Sequence, residues 1–254
     1  MPGILDCAII TDIGEEEAFS RAEVLRKGMI VMKEFFHKYK HAWVFLYGFL
    51  YFPWFFWLEQ RHVSGYHLIY ASLDRKIPFC EYFIIPYLLW FVYVVGALLL
   101  FLFTQSKEEF YKLTGNLFVG MSICLAVCTI WPNIQVLRPV IDPDQNIFCR
   151  LVSMIYRADT PTNVFPSIHV YASIGVHVAL ARSTYGKKYP MFRVASGLLM
   201  ISIILSTMFL KQHSVLDVMA AMILSSGMYS LIYRTEFGKE GYRVFRRRRK
   251  TAKA

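Results

Sequence analysis

A histidine and an aspartate stand four residues apart, as His213 and Asp217, in the short polar stretch 211–217 between two long apolar runs. If a helix starts near Lys211, both side chains share one helix face and Asp217 accepts a hydrogen bond from the His213 ring. That contact fixes the ring tautomer and leaves the other nitrogen as a lone pair, which a nucleophile or a general base requires. A polar contact between helices is the alternative role for the pair.

A second histidine, His169, lies near the start of another apolar segment. Asn163 is a typical N-cap residue and Pro166 suits a first helical turn, so the sequence predicts a helix from about Pro166. The free N–H groups and positive dipole end of that helix would favour an anion. Arg138, which precedes a proline, would offer phosphate oxygens a fork of permanently charged donors. A hydrogen-bonded interface histidine and a simple loop turn are the alternatives.

The elements that must position these residues are membrane-spanning helices. Hydrophobic residues make up 56% of the 254-residue chain and charged residues only 18%, which indicates one integral membrane domain. A helix needs about 20 mostly apolar residues to cross the hydrocarbon core. Six runs approach that length, so the predicted fold is an all-α polytopic bundle with about six transmembrane helices, at 41–58, 82–103, 115–131, 165–181, 191–210 and 215–233.

The basic residues give this bundle an orientation. Lysines and arginines concentrate before the first span, after the second, after the fourth and in the tail 243–250, "RVFRRRRK". Because short basic loops stay cytoplasmic, both termini are predicted to be cytoplasmic and the polar mouth extracytoplasmic. The net charge of +10 follows from this topology, and the tail is interpreted as a lipid-facing anchor. No nucleic-acid motif accompanies the tail, so the membrane, and no nucleic acid, is the expected partner.

Three segments are predicted along the chain. Residues 1–40 form a cytoplasmic N-terminal segment whose part from 20 to 40 mixes apolar and basic residues, as an interfacial amphipathic helix does. Residues 41–233 form the six-span domain, and 234–254 form the basic cytoplasmic tail. The compact loops favour a bacterial plasma-membrane protein.

The order of these polar residues resembles the three-part signature of the type 2 phosphatidic acid phosphatase superfamily, integral membrane lipid phosphatases and phosphotransferases. The matching motifs span about 80 residues: Arg138 with the following proline, "PSIH" at 166–169, and Ser206 with His213 and Asp217. The family's first motif has a lysine seven residues before the arginine, its second has glycine before the histidine, and its third has Ser-Arg. Those positions here are Trp131, Ile168 and Thr207, although every interval is kept.

The resemblance implies a metal-independent lipid phosphatase with no cofactor and a lipid phosphate as substrate. His213 would attack phosphorus to give a phosphohistidine, Asp217 would orient it, and His169 would protonate the leaving group and then activate water. The phosphate-binding residues would be Arg138, Ser167 and Lys211, the last standing one turn after Thr207 if that stretch is helical.

Several alternatives stay open. "FPSIHV" is also similar to the branch of inositol phosphorylceramide synthases, and the loss of two family cations suits a singly charged phosphodiester, so lipid head-group transfer is the second reading. A non-catalytic lipid-binding scaffold would explain the same losses, and a pore or transporter would need broken helices in matching halves. Two histidines and a carboxylate form a metal triad in other proteins, but the carboxylate here is better placed to bond His213. The lipid and the oligomeric state are left open.

Overall fold

The computed structural model describes residues 26–35 and 37–234, and the chain divides into two compact units, Met1–Val44 and Phe45–Ala254. In the first unit residues 26–35 are helical, within the stretch predicted to form an amphipathic helix. A 3-10 helix, Lys40–Tyr47, runs across the unit boundary. Most of the predicted N-terminal segment and the basic tail lie outside the described residues, and the boundaries at 40 and 233 stay predictions.

The second unit is all-α apart from two very short strands. The part of it that the structure describes contains eight α-helices, namely α1 (Gly48–Gln60), α2 (Ile84–Thr104), α3 (Lys107–Ile130), α4 (Ile147–Ala158), α5 (Ile168–Arg182), α6 (Thr184–Lys188), α7 (Pro190–Phe209) and α8 (Val215–Tyr229). The last helix continues as a π-helical turn, Ser230–Arg234. The strands β1 (His67–Leu68) and β2 (Asn133–Ile134) pair in parallel.

Four helical segments are long and apolar enough to cross a membrane: Glu81–Thr104, Lys107–Ile130, Pro190–Phe209 and Val215–Arg234. The chain is therefore an all-α membrane helix bundle. The other two predicted spans correspond to α1 and α5, which are shorter. The 15 residues of α5 rise about 22 Å, less than the roughly 30 Å of a hydrocarbon core, so the count of six stays a prediction.

Helix α5 lies in the middle of the bundle, where it packs against α2, α3, α7 and α8. The fully buried Tyr171 fixes its approach to α3, because its hydroxyl donates to the Asn116 carbonyl at 2.7 Å. The ring fills the space beside Gly120, where a Cβ atom would come within 1.9 Å of it. Glycine at 120 is thus required by the close approach of the two helices.

One end of the bundle gathers the loops 59–81, 132–165 and 211–214. The pairing of β1 with β2 joins the first two loops, with His67 opposite Asn133. The end of α7 meets the segment before α2, where the Cys80 N–H donates to the Phe209 carbonyl at 3.1 Å. Both predicted site histidines lie at this end, His169 in the first turn of α5 and His213 just before α8.

Candidate functional site

The pairing of His213 with Asp217 is present, but a helix cap produces it instead of the predicted helix face. The condition of a helix from Lys211 is not met: α7 ends at Phe209, Lys211 has a left-handed φ of 54°, and α8 begins at Val215, where the sixth span was predicted to begin. The Asp217 Oδ2 atom accepts the Ser214 N–H at 2.8 Å and lies 3.2 Å from His213 Nδ1. Because Ser214 caps the same turn, the carboxylate is held at the helix start and reaches back to the ring.

This capping arrangement buries the carboxylate and keeps the histidine at the edge of the site. Asp217 is completely buried, and the His213 residue is 8% exposed. The backbone turn before the ring is closed by the Thr207 carbonyl, which accepts the N–H groups of Gln212 and His213 at 2.9 and 3.0 Å. Since Nδ1 faces Asp217, the Nε2 atom is the one left for chemistry, and no described residue forms a hydrogen bond with it.

His169 faces His213 from the start of α5. The prediction of Asn163 as the cap and Pro166 in the first turn is wrong, because Ser167 is the N-cap and accepts the Val170 N–H at 3.3 Å. The Asn163 amide instead donates to the Leu58 carbonyl at 3.0 Å. Ser167 has the extended backbone and the side-chain oxygen that a cap needs, so the helix starts two residues later than predicted.

The His169 ring lies in an aromatic niche. Its centroid is 4.4 Å from that of Trp90 and 4.8 Å from that of Tyr87, both on α2. The two imidazole centroids of His169 and His213 are 5.8 Å apart. No hydrogen bond joins these two rings, which lie next to each other at this end of the bundle.

Arg138 is built into the loop structure beside the histidines. Its Nη1 atom donates to the carbonyls of Tyr156 and Asp159 at 3.2 and 2.7 Å, and its Nη2 atom donates to the Thr160 carbonyl at 3.2 Å and to the Gln212 side-chain oxygen. Burial lowers the pKa of Arg138, an effect that the nearby Asp159 carboxylate opposes. The predicted free fork is therefore already occupied by protein oxygens, and phosphate binding by Arg138 stays a prediction.

Lys211 is directed to a different loop. Its ammonium donates to the Asp74 carbonyl at 2.7 Å and to the Ile77 carbonyl, and the Gln135 side chain donates to the Lys211 carbonyl at 2.9 Å. Two of the three ammonium donors thus support the loop that carries His213. Phosphate binding by Lys211 and by the buried Ser167 stays a prediction.

Asp74 holds the start of α8 from the loop 59–81. Its Oδ2 atom accepts the Ser214 hydroxyl at 2.7 Å and the Ala71 N–H at 2.7 Å, and its Oδ1 atom accepts the Val215 N–H at 2.8 Å. The residue is 2% exposed, so these bonds are shielded from water. Asp74 is therefore a positioning residue for the turn that presents His213 to the site.

Asp74→Ala is expected to lower the free energy of unfolding by about 1–3 kcal/mol, because it leaves buried donors without their acceptor. Thermal unfolding of the full chain in detergent measures the change. Asp144→Ala is the matched control, since the Asp144 carboxylate is 83% exposed and forms only a surface pair with Arg150. Equal melting temperatures for the two variants would contradict the positioning role.

The positions that depart from the family signature bring no charge to the site. Trp131 stacks on His67 at a centroid distance of 4.9 Å and meets Phe165 edge-on at 5.5 Å. The Thr207 hydroxyl donates to the Ile204 carbonyl within its own helix at 2.8 Å. These two side chains make only local contacts. Among the described residues, Arg138 is the arginine whose guanidinium contacts Gln212, the residue next to His213.

Sequence reasoning gave no role to four residues that the structure places at or beside the site: Asp74, Tyr87, Asp159 and Gln212. Gln212 carried the clearest signal, because it is a polar residue next to His213. Burial raises the pKa of Asp159, while Arg138 and His213 lower it. Asp74 lies 140 residues before Ser214, a distance along the chain that no spacing rule bridges.

No family model, curated protein or solved structure matches this chain. The fold and site alone define an all-α membrane helix bundle with a histidine–aspartate pair facing a second histidine at one end. Within residues 26–35 and 37–234, no group of three histidine, cysteine, aspartate or glutamate side chains is arranged to hold a metal ion. The absence of a metal from the reaction stays a prediction.

Proposed function

We propose that this chain is a membrane-embedded lipid phosphatase of the type 2 phosphatidic acid phosphatase superfamily. The observation that carries the proposal is the His213–Asp217 contact of 3.2 Å, with the centroid of the His169 ring 5.8 Å from that of His213. A buried carboxylate behind one histidine and a second histidine opposite it match the needs of a nucleophile and an acid that work on one phosphate ester.

In the proposed reaction His213 Nε2 attacks phosphorus, so that a nitrogen–phosphorus bond forms as the ester bond to the lipid oxygen breaks. Asp217 holds the ring through Nδ1 and stabilises the positive charge that develops on it. His169 gives a proton to the leaving lipid alkoxide, then takes one from water as that water attacks the phosphohistidine. Release of phosphate returns His213 to its neutral form.

Head-group transfer between lipids is the second candidate, in the manner of inositol phosphorylceramide or sphingomyelin synthases. It is favoured by the low positive charge beside the histidines, where the Asp159 carboxylate lies 3.9 Å from the Arg138 guanidinium. A phosphodiester carries one negative charge and a phosphomonoester nearly two, so the diester needs fewer cations. The same phosphohistidine would then be released to an alcohol instead of water.

The reaction itself is tested by incubating the purified chain with a panel of lipid phosphates and lipid phosphodiesters. Free phosphate and new lipids are followed by mass, with His213→Ala as the background. Phosphate release from a monoester supports the phosphatase, and a new lipid formed without free phosphate supports the transferase. A panel on which the chain and His213→Ala behave alike would contradict both.

We further propose six spans, with α1 and α5 completing the set, both termini in the cytoplasm of a bacterial cell and the site on the extracytoplasmic side of the plasma membrane. The basic loops support this orientation. Asp144 and Lys187, both exposed, lie in loops that this topology assigns to opposite faces.

Asp144→Cys is expected to react with a membrane-impermeant thiol reagent in intact cells, and Lys187→Cys is expected to react only after the cells are opened. The reason is that the reagent reaches only the extracytoplasmic face of an intact membrane. The parent chain, with its five native cysteines, gives the background labelling. The reverse pattern would overturn the orientation.

A further inference from the structure

Gln212 is a buried residue beside the proposed nucleophile, and the nitrogen of its side-chain amide forms no hydrogen bond within the described part of the chain. The residue is 1% exposed and immediately precedes His213. Its Oε1 atom accepts from Arg138 Nη2, which fixes which end of the amide points toward the arginine. The Nε2 atom carries two N–H donors and has no hydrogen-bond partner among the described residues. A buried donor without an acceptor is costly, so a partner outside the chain is indicated.

Two other buried donors without partners contact residues of the site. The Arg138 Nε atom is buried and has no partner within the described part of the chain, and the same holds for the Trp90 indole Nε1. Trp90 packs against His169, and Arg138 is bonded to Gln212 itself. The Tyr87 hydroxyl interacts with the Gln212 side chain, but the contact does not have the geometry of a hydrogen bond at Nε2. Three side-chain nitrogens with four N–H groups therefore lack acceptors among the described residues.

The terminal nitrogens of Arg138 do not offer the donors that a phosphoryl group needs. Both already donate to oxygens of Tyr156, Asp159, Thr160 and Gln212. The guanidinium therefore has only its Nε–H left for a ligand. The contact from Nη2 instead orients the Gln212 amide so that its nitrogen faces away from the arginine. The amide N–H groups are therefore held in place as uncharged donors before a ligand binds.

We propose that Gln212 Nε2 donates a hydrogen bond to a non-bridging oxygen of the phosphoryl group that His213 attacks, with Arg138 holding the amide in place. This inference rests on the proposed function and adds to it a catalytic residue at a position that the signature leaves unspecified. The amide supplies a donor near the nucleophile where Trp131 and Thr207 supply no charge. A fixed neutral dipole stabilises developing charge on phosphoryl oxygens without reorganising during the reaction.

The test uses two variants of the full chain in detergent that separate the donor from the contact with Arg138. Gln212→Glu keeps the oxygen that accepts from Arg138 but removes both N–H donors, so the loop keeps its support. Gln212→Met has a similar length and removes both functions. Gln105→Glu, at the far end of α2, is the matched control for the added negative charge.

Orthovanadate, an analogue of phosphate, is the probe, and its half-saturating concentration is read from the thermal stabilisation of the protein. A hydrogen bond to a charged acceptor predicts a rise of about 10–100-fold in that concentration for both Gln212 variants, and none for Gln105→Glu. The turnover number on the best lipid substrate should fall by a similar factor. A lower melting temperature with an unchanged half-saturating concentration would make Gln212 purely structural and would overturn the inference.

The outcomes also separate this inference from the proposed function. If the parent chain turns over no lipid phosphate while vanadate binding still depends on Gln212, the anion site stands and the enzyme proposal fails. If the parent chain is active and both Gln212 variants match it in turnover and vanadate binding, the enzyme proposal stands and this inference fails. Absence of vanadate stabilisation in the parent chain would also count against the inference.

Discussion

His213→Ala is expected to abolish turnover on every lipid phosphate that the chain hydrolyses. Among the described histidines, His213 is the one whose Nδ1 atom contacts a buried carboxylate, and alanine leaves no group to attack phosphorus. Phosphate release by the purified variant measures the loss, which should reach the background of protein-free vesicles.

The matched control for this loss is His62→Ala, because His62 is exposed in the loop 59–81. That variant should keep the parent rate. Thermal unfolding of His213→Ala shows whether the fold survives, since Ser214 still provides the cap of α8. A folded His213→Ala that keeps a substantial part of the parent rate would contradict the assignment of His213 as nucleophile.

His169→Ala is expected to lower the rate by roughly 10²–10⁴-fold on a natural lipid ester, because a poor leaving group needs a proton in the transition state. A phosphate ester with a good leaving group needs little protonation, so the first step should survive on such a substrate. The second step should still be slow, since no base remains to activate water. Stopped-time assays on both kinds of ester measure this difference.

A second histidine on the same helix gives the comparison for this prediction. His177 lies further along α5, where its Nδ1 atom contacts the Ser196 hydroxyl at 3.1 Å, away from His213. His177→Ala should change stability more than the dependence on the leaving group. If His169→Ala slowed both esters by the same factor, its role as the acid for the leaving group would be wrong.

The sequence predicted the His213–Asp217 contact for a reason that proved only half correct. The interval of four residues does bring the ring and the carboxylate together, at 3.2 Å. The helix, however, begins at Val215 and does not extend back to Lys211, because Lys211 adopts a left-handed turn and Ser214 caps α8. The pattern Ser-x-x-Asp at 214–217 is a recognisable capping signal and explains the contact without a helix over 211–214.

The loop partners of the site were beyond the reach of sequence reasoning. The guanidinium of Arg138 meets carbonyl oxygens of 156–160, and the carboxylate of Asp74 meets the backbone at 214–215. Every residue has a main-chain carbonyl, so the residue types in the sequence do not indicate which carbonyls will accept these hydrogen bonds. The predicted phosphate fork was inferred from arginine alone, without the acceptors that the fold places around it.

The membrane pattern was more predictable for lipid-facing helices than for the central one. Predicted spans at 82–103, 115–131, 191–210 and 215–233 overlap helices long and apolar enough to cross a membrane. Helix α5 is buried against its neighbours, so its polar and small residues are compatible with its position and weaken the hydropathy signal. Hydropathy alone therefore leaves the number of spans open.

The most direct test of the central claim is to trap the phosphorylated protein and map the modified residue. The chain is exposed briefly to a radiolabelled phosphate ester with a good leaving group, denatured under conditions that preserve phosphohistidine, and digested for mass spectrometry. The proposed mechanism predicts label on His213 in the parent chain and in His169→Ala, and no label in His213→Ala. Label that persists in His213→Ala and disappears in His169→Ala would show that the two histidines have the opposite roles.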